Sequence, residues 1–302
     1  MKKNSGYKFL TLFSPLDLAT ILYVLVSGIY ICFSTACFKD LLPHFLVRAL
    51  VLIIIASLVL ISVKLPHHKL ILFIRNLYPL LFLGFFYAET YCMKNIIFDT
   101  NLDPWFYNME QRLWNCQPSM EFSKHMHWGW FNELMNICYF SYYALIGAAC
   151  IVLYLKKVPK AQKGIFTIIF SFYLYYLIFA ILPVAGPLSH IPNAMTETPP
   201  YFFGKLMQVL LVHFEKPTAA FPSSHVGIAL IIAYVTYNHL RGLFFIILPF
   251  VIGICFATVY IKAHYLVDVI GGIISAPLFI ILSRKIYNKF LPCTTYYYEK
   301  AG

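Results

Sequence analysis

Apolar residues run in long uninterrupted blocks along this chain, separated by short polar stretches that hold most of its lysines and prolines. A helix needs roughly 17 to 25 predominantly apolar residues to cross a bilayer. Eight such spans are expected: Leu18–Cys37, Val47–Val63, Leu70 or Leu77 to Tyr91, Phe131–Leu155, Ile165–Leu182, Val226–Leu240, Leu243–Ile261 and His264–Leu282. The first is too long for the apolar core of a cleaved signal peptide and lacks a small-residue cleavage pattern. Residues 94–131 form the longest polar stretch of the first half. There Asp103-Pro104 reads as a helix start, and Trp105, Phe106, Met109, Leu113 and Trp114 follow at three- and four-residue spacing. This predicts an amphipathic helix lying in the interface, with tryptophan as anchor. Arg75, near the start of the third span, is expected to snorkel to the membrane surface. The architecture read from this pattern is all-α: a polytopic membrane helix bundle forming a single integral membrane domain over residues 1–302.

Composition agrees. Hydrophobic residues make up 61% of the chain and charged residues 12%, about half the charged share of a soluble domain. The mean hydropathy is +0.74. A net charge of +11 would suit a nucleic-acid binder, but the cations collect at the ends of apolar runs, as the positive-inside rule requires. No nucleic-acid partner is expected. With eight spans, both termini share one side. That side receives fifteen of the 23 lysines and arginines and the other side eight, among them Lys216. Both termini are therefore expected in the cytoplasm, with the membrane an inner membrane of the bacterial type. Of the eight cysteines none forms a C-x-x-C pair. Cys92 and Cys116 fall on the same outer side, where a disulfide between them is open.

The chemistry concentrates between Phe221 and Gly272. Phe221-Pro222-Ser223-Ser224-His225 opens the sixth span, and His264 and Asp268 open the eighth. The down-and-back path of spans six and seven returns His264 to the face that carries His225. Asp268 follows His264 by four residues, so both share a helix face. An aspartate inside an otherwise apolar span is expensive and marks a functional site by default. It can accept from one ring nitrogen of His264 and fix its tautomer, leaving the other lone pair free as a nucleophile. His225 can protonate the oxygen that leaves. The backbone around Ser223 and Ser224 forms a helix N-terminus suited to phosphate oxygens. The same three side chains are also a conceivable metal-ligand set, though nothing else in the chain demands a metal or cofactor.

At these residues the chain resembles the type-2 phosphatidic acid phosphatase superfamily, membrane enzymes that move phosphoryl groups on lipids without metal. FPSSH and the YxxxHYxxD pattern ending at Asp268 are similar to two of its signature motifs, and the resemblance covers about residues 165–285, the expected catalytic core. It implies His264 as the phosphohistidine nucleophile, Asp268 as its orienting partner and His225 as the general acid. The chain departs from the phosphatase branch: it has no Arg-Pro anywhere, and Thr258 stands where that branch carries arginine. ATVYIKAHYLVDVIGG is closer to the branch of inositol phosphorylceramide and sphingomyelin synthases, which move a phosphodiester carrying one negative charge. Lys262 is then a candidate for part of the charge on the phosphate, or an interfacial anchor. Glu133 is a candidate to activate or bind a hydroxyl, or simply an acid at a helix start.

Three functions are therefore carried forward. The first is a lipid phosphotransferase moving a phospho-headgroup, phosphoinositol first among them, from a glycerophospholipid to a lipid alcohol such as ceramide, so that its partners are membrane lipids. The second is a phosphatase on a lipid phosphate or polyprenyl diphosphate, with water as acceptor. The third is a proton-coupled transporter, against which stands the absence of a second copy of either motif in the first half.

Overall fold

The computed structural model describes residues 11–34, 38–156, 161–194, 201–213 and 217–291. Lys2, Lys3, Lys8, Lys157, Lys160, Lys216 and Lys300, counted above for orientation, lie outside them. The described residues form helices joined by short loops, with an isolated bridge between Val184 and Ala219 as the one β contact among them. In chain order the helices are α1 (Pro15–Ile31), α2 (Phe38–Lys64), α3 (Lys69–Leu77), α4 (Pro79–Met93), α5 (Asp103–Trp114), α6 (Pro118–His125) and α7 (Gly129–Leu155). They continue as α8 (Ala161–Ile181), α9 (Pro187–His190), α10 (Phe202–His213), α11 (Ser224–His239), α12 (Arg241–Tyr260) and α13 (Leu266–Phe290).

Six stretches among the described residues are long and apolar enough to cross a membrane: Asp40–Lys64, Lys69–Met93, Gly129–Leu155, Ala161–Ile181, Arg241–Tyr260 and Leu266–Phe290. The protein is an integral membrane helix bundle. The other two expected spans, α1 with 17 residues and α11 with 16, are shorter; at about 1.5 Å per residue α11 measures roughly 24 Å. The third span is α3 and α4 end to end, broken at Tyr78 because Pro79 has no N–H to donate and clashes with the carbonyl of Arg75.

Local chemistry sets the ends. Ser14 caps α1, its hydroxyl accepting from the Asp17 N–H while Asp17 accepts from the Ser14 N–H. α8 lies at the centre of the bundle, with its window of 18 residues 78% buried where the other five long spans reach 33–39%. Those five therefore present a lipid-facing side, as the exposed Leu81, Ile246 and Leu278 illustrate. α11 and α13 approach closely because both carry glycine at the crossing: a Cβ on Gly272 would sit 2.6 Å from the Ser223 carbonyl oxygen. This crossing brings the motif helices together at their N-terminal ends.

Two buried ion pairs pin the N-terminal helices. Arg75 does not snorkel. It is 2% exposed and donates to Asp17 at 2.9 Å, to the Leu12 carbonyl and to Ser62, because α1 brings a carboxylate to it and removes any need to reach water. Arg48 on α2 forks onto Glu89 of α4, with a second branch to Ser27 on α1. His44 Nδ1 stands 3.0 Å from the same carboxylate, and its Nε2 stands 3.3 Å from Cys92 Sγ. Cys92 and Cys116 are both free thiols, so the disulfide does not form; Cys92 faces the His44 ring inside this cluster.

Candidate active site

The site is assembled where α11, α12 and α13 meet. Ser223 is the N-cap of α11 and its hydroxyl accepts from the Val226 N–H at 3.4 Å. His225 follows in the first turn, and its ring lies against two tyrosines of α7. The Tyr139 ring stacks on it at 4.5 Å between centroids and the Tyr142 ring tilts against it at 4.2 Å. α12 ends at Tyr260, and the chain then turns sharply through Lys262, which takes a left-handed backbone with φ of 63°. Its carbonyl accepts from the Leu188 N–H at 2.8 Å, and the His264 N–H donates back to the Thr258 carbonyl at 3.1 Å. A non-glycine residue in this region is strained and is held there by its surroundings.

The turn delivers His264 to His225: His225 Nδ1 and His264 Nε2 are 3.2 Å apart. On the far side of the ring, His264 Nδ1 stands 3.5 Å from Asp268 Oδ2, an ion-pair distance and long for a hydrogen bond. Asp268 is the third residue of α13, and the same Oδ2 accepts from the Tyr265 N–H at 2.8 Å. All three side chains are buried, His225 at 6%, His264 at 2% and Asp268 at 0% exposure. His225 Nε2 and Asp268 Oδ1 have no hydrogen-bond partner among the described residues. The arrangement is a line, Asp268 to His264 to His225, shielded from water, with unpartnered polar atoms at both ends and at His264 Nδ1, which faces Asp268 without a closed hydrogen bond.

Behind this line stand residues that sequence reasoning missed. α5 starts at Asp103 as expected, and Trp105 and Leu113 are exposed on it. Its other side is the surprise. Phe106 is buried against the rings of Phe221 and Tyr265. Asp103 accepts from the N–H groups of Ala185 and Gly186, each at 2.8 Å, and from the Tyr265 hydroxyl at 3.3 Å. Gly186 takes a φ of +91°, and a Cβ there would collide with the Ala263 carbonyl oxygen at 2.5 Å; only glycine lets this loop pass beneath the turn that carries His264. Burial, with the nearby charges of Asp103 and Asp268, pushes the Tyr265 hydroxyl well above the usual tyrosine range, so it serves as a donor. Glu110 accepts from the Val267 N–H at 3.1 Å. Asp103, Phe106 and Glu110 are spaced i, i+3 and i+7, one helix stripe, and that spacing was the available signal.

The remaining sequence candidates are placed as follows. Ser224 is the first residue of α11, next to His225 in the chain, and is buried, as is Lys262, two residues before His264. Glu133 lies elsewhere, on α7. Its carboxylate accepts from the N–H groups of Phe203 and Gly204, at 2.5 and 3.0 Å, where α10 begins, the position at which a negative charge stabilises a helix. Among the described residues no group of three or more His, Cys, Asp or Glu is placed to hold a metal ion.

Comparison with known families gives one match. The model described as the PAP2 superfamily matches residues 105–282, from the second helical residue pair of α5 through most of α13 and so including every residue of the line above. Searches of curated proteins and of solved structures gave no match. The matched region begins upstream of the 165–285 core that the motifs mark and takes in α5, α6 and α7. It covers more than half of the 302 residues. With its membrane helix bundle, this chain belongs to the PAP2 superfamily, whose members are phosphatases and phosphotransferases.

Proposed function

We propose that the protein moves a phospho-headgroup, phosphoinositol first among the candidates, from a glycerophospholipid to a lipid alcohol such as ceramide, through a phosphohistidine on His264. The observation that carries this reading is the buried line from Asp268 through His264 to His225. With Nδ1–H turned to Asp268, His264 Nε2 carries the lone pair; it faces His225 Nδ1 at 3.2 Å and attacks phosphorus once the entering phosphate displaces that contact. The new N–P bond forms as the bond from phosphorus to the diacylglycerol oxygen breaks. His225, which takes up a proton as the anionic phosphate enters beside it, gives that proton to the leaving oxygen. Positive charge growing on His264 draws it toward the Asp268 carboxylate. In the second half, neutral His225 takes the proton of the acceptor hydroxyl, whose oxygen attacks phosphorus as the N–P bond breaks.

Transfer of a diester, in preference to hydrolysis of a monoester, fits the sparse positive charge. The rings against His225 are the neutral Tyr139, Tyr142 and Tyr143. The two buried arginines, Arg48 and Arg75, are engaged by Glu89 and Asp17. A diester carries one charge and needs fewer cations than a doubly charged monoester; Lys262, buried two residues before His264, is the residue assigned to it here, with the helix end at Ser223 and Ser224 cradling the phosphate oxygens. Glu133 acts at one remove, through the start of α10. The positive-inside asymmetry supports a site on the outer face, with both termini cytoplasmic.

The test is transfer in vesicles containing the purified protein, phosphatidylinositol labelled in the inositol and a fluorescent ceramide. Labelled inositol phosphorylceramide and diacylglycerol should appear in equal amounts. Release of water-soluble inositol phosphate with no ceramide product would make the enzyme a hydrolase, and phosphate release from phosphatidic acid alone would make it a phosphatase.

A further inference from the structure

The first turn of α13 carries Asp268, and α5 holds that turn from outside. The Val267 N–H donates to Glu110 Oε1 at 3.1 Å, and the Leu266 N–H also falls within the reach of this carboxylate. Glu110 has no exposed surface, and its Oε2 has no partner among the described residues. Asp268 Oδ1 is likewise buried and unpartnered. Two carboxylates thus meet at one helix N-terminus, where the helix dipole and the free N–H groups partly compensate their charge. Capping alone does not call for both, since Asp268 already takes the Tyr265 N–H.

We infer that Glu110 is a positioning residue for phosphoryl transfer: by holding the N–H groups that open α13, it sets the direction in which Asp268 meets His264. It thereby selects the His264 tautomer that leaves Nε2 free. This rests on the nucleophilic role proposed for His264. The 3.5 Å between Asp268 and His264 Nδ1 is a distance at which a small tilt of the helix start decides whether a hydrogen bond forms.

The charged and titratable groups around Glu110 are Asp268 and Tyr265 at the start of α13, Asp103 on its own helix and His264 beyond Asp268; on α9, His190 lies against Tyr107 of the same helix as Glu110. Burial, aided by the charge of Asp268 and opposed by the Val267 and Leu266 N–H groups, raises Glu110 to about 7. Below that pH Glu110 takes up a proton and becomes a weaker acceptor, so its hold on α13 slackens; above it the hold is full.

The test reads the His264 ring directly, by nitrogen NMR of the full-length protein labelled in histidine and held in lipid nanodiscs. The His264 signal is identified by its loss in His264→Gln. At pH 8 the wild type should show the Nδ1–H tautomer, and between pH 8 and 6 the tautomers should begin to mix. Glu110→Ala should show the mixture already at pH 8. Glu110→Gln, a neutral acceptor like the protonated acid, should show at pH 8 the mixture that the wild type reaches near pH 6, with no further change between pH 8 and 6. In activity, Glu110→Ala should lower kcat by about 10²-fold, the scale of a small misalignment, with KM little changed. An unaltered His264 tautomer in Glu110→Ala, or a wild-type pH response in Glu110→Gln, overturns the inference; if the alanine variant does not fold, the glutamine variant decides alone. Failure of the underlying reading looks different: no labelled phosphohistidine in the wild type, whatever the NMR shows.

Discussion

The backbone N–H of Ser223 donates to the backbone carbonyl of Asp268 across 2.9 Å. One residue is the N-cap of α11 and the other sits in the first turn of α13. The bond ties the two motif helices at the level of the histidines, so a shift of either helix moves His225 relative to the His264–Asp268 pair. The site's geometry is a property of this junction, and each prediction below probes one part of it.

Asp268→Asn should preserve the junction, since the Ser223 bond uses only the backbone. The amide holds the wrong tautomer of His264 and does not stabilise imidazolium. Turnover should fall roughly 10²–10⁴-fold, the range for orienting carboxylates in triads, with unchanged thermal unfolding of the detergent-solubilised protein. Near-normal turnover would take Asp268 out of the mechanism.

The two histidines should fail differently. His264→Ala has nothing to receive the phosphoryl group and should react with no donor. His225→Ala should lose on the order of 10²–10⁴ in rate with a natural lipid, whose alkoxide needs a proton to leave. A nitrophenyl phosphodiester releases a good leaving group and should still phosphorylate His264 in that variant, then stall for lack of a base. A nitrophenol burst of about one per enzyme, with acid-labile phosphohistidine left behind, is the expected record. A burst that survives in His264→Ala and vanishes in His225→Ala would reverse the roles.

Orientation can be read by thiol labelling in intact cells, in a background with the native cysteines replaced. Lys124, exposed after the start of α6, and His67, exposed between α2 and α3, lie on opposite faces in the proposed topology. A cysteine at Lys124 should react with a membrane-impermeant reagent and one at His67 should not. The reverse pattern would move the site to the cytoplasmic face.

The Arg48–Glu89 pair lies at 5% and 0% exposure and outside the matched family region. Glu89→Ala leaves a buried guanidinium without its partner and should destabilise the protein by about 3–5 kcal/mol, whereas replacing both residues with apolar ones of similar size should recover most of that. Unfolding midpoints of the three proteins in detergent measure it. A Glu89→Ala protein as stable as wild type would mean that the pair is not closed in the membrane.

What the sequence determined by itself is everything carried by local pattern. Apolar runs make spans because a bilayer leaves the backbone no other way to satisfy its hydrogen bonds. Span parity and four-residue spacing bring His225, His264 and Asp268 to one face, because a helix pair that goes down and back has few other options. Asp103-Pro104 starts a helix for reasons confined to its own first turn. What only the tertiary structure decided is which polar groups share a buried space. Arg48 and Glu89 are 41 positions apart, Arg75 and Asp17 58, and Glu110 and Val267 157. Beyond its place on the stripe of Asp103 and Phe106, nothing local distinguishes Glu110 from an acid facing water on an interfacial helix, nor Tyr139 and Tyr142 from ordinary residues of a span. Their roles arise because α5 and α7 happen to be pressed against the ends of α11 and α13, and that choice belongs to the packing of the whole bundle.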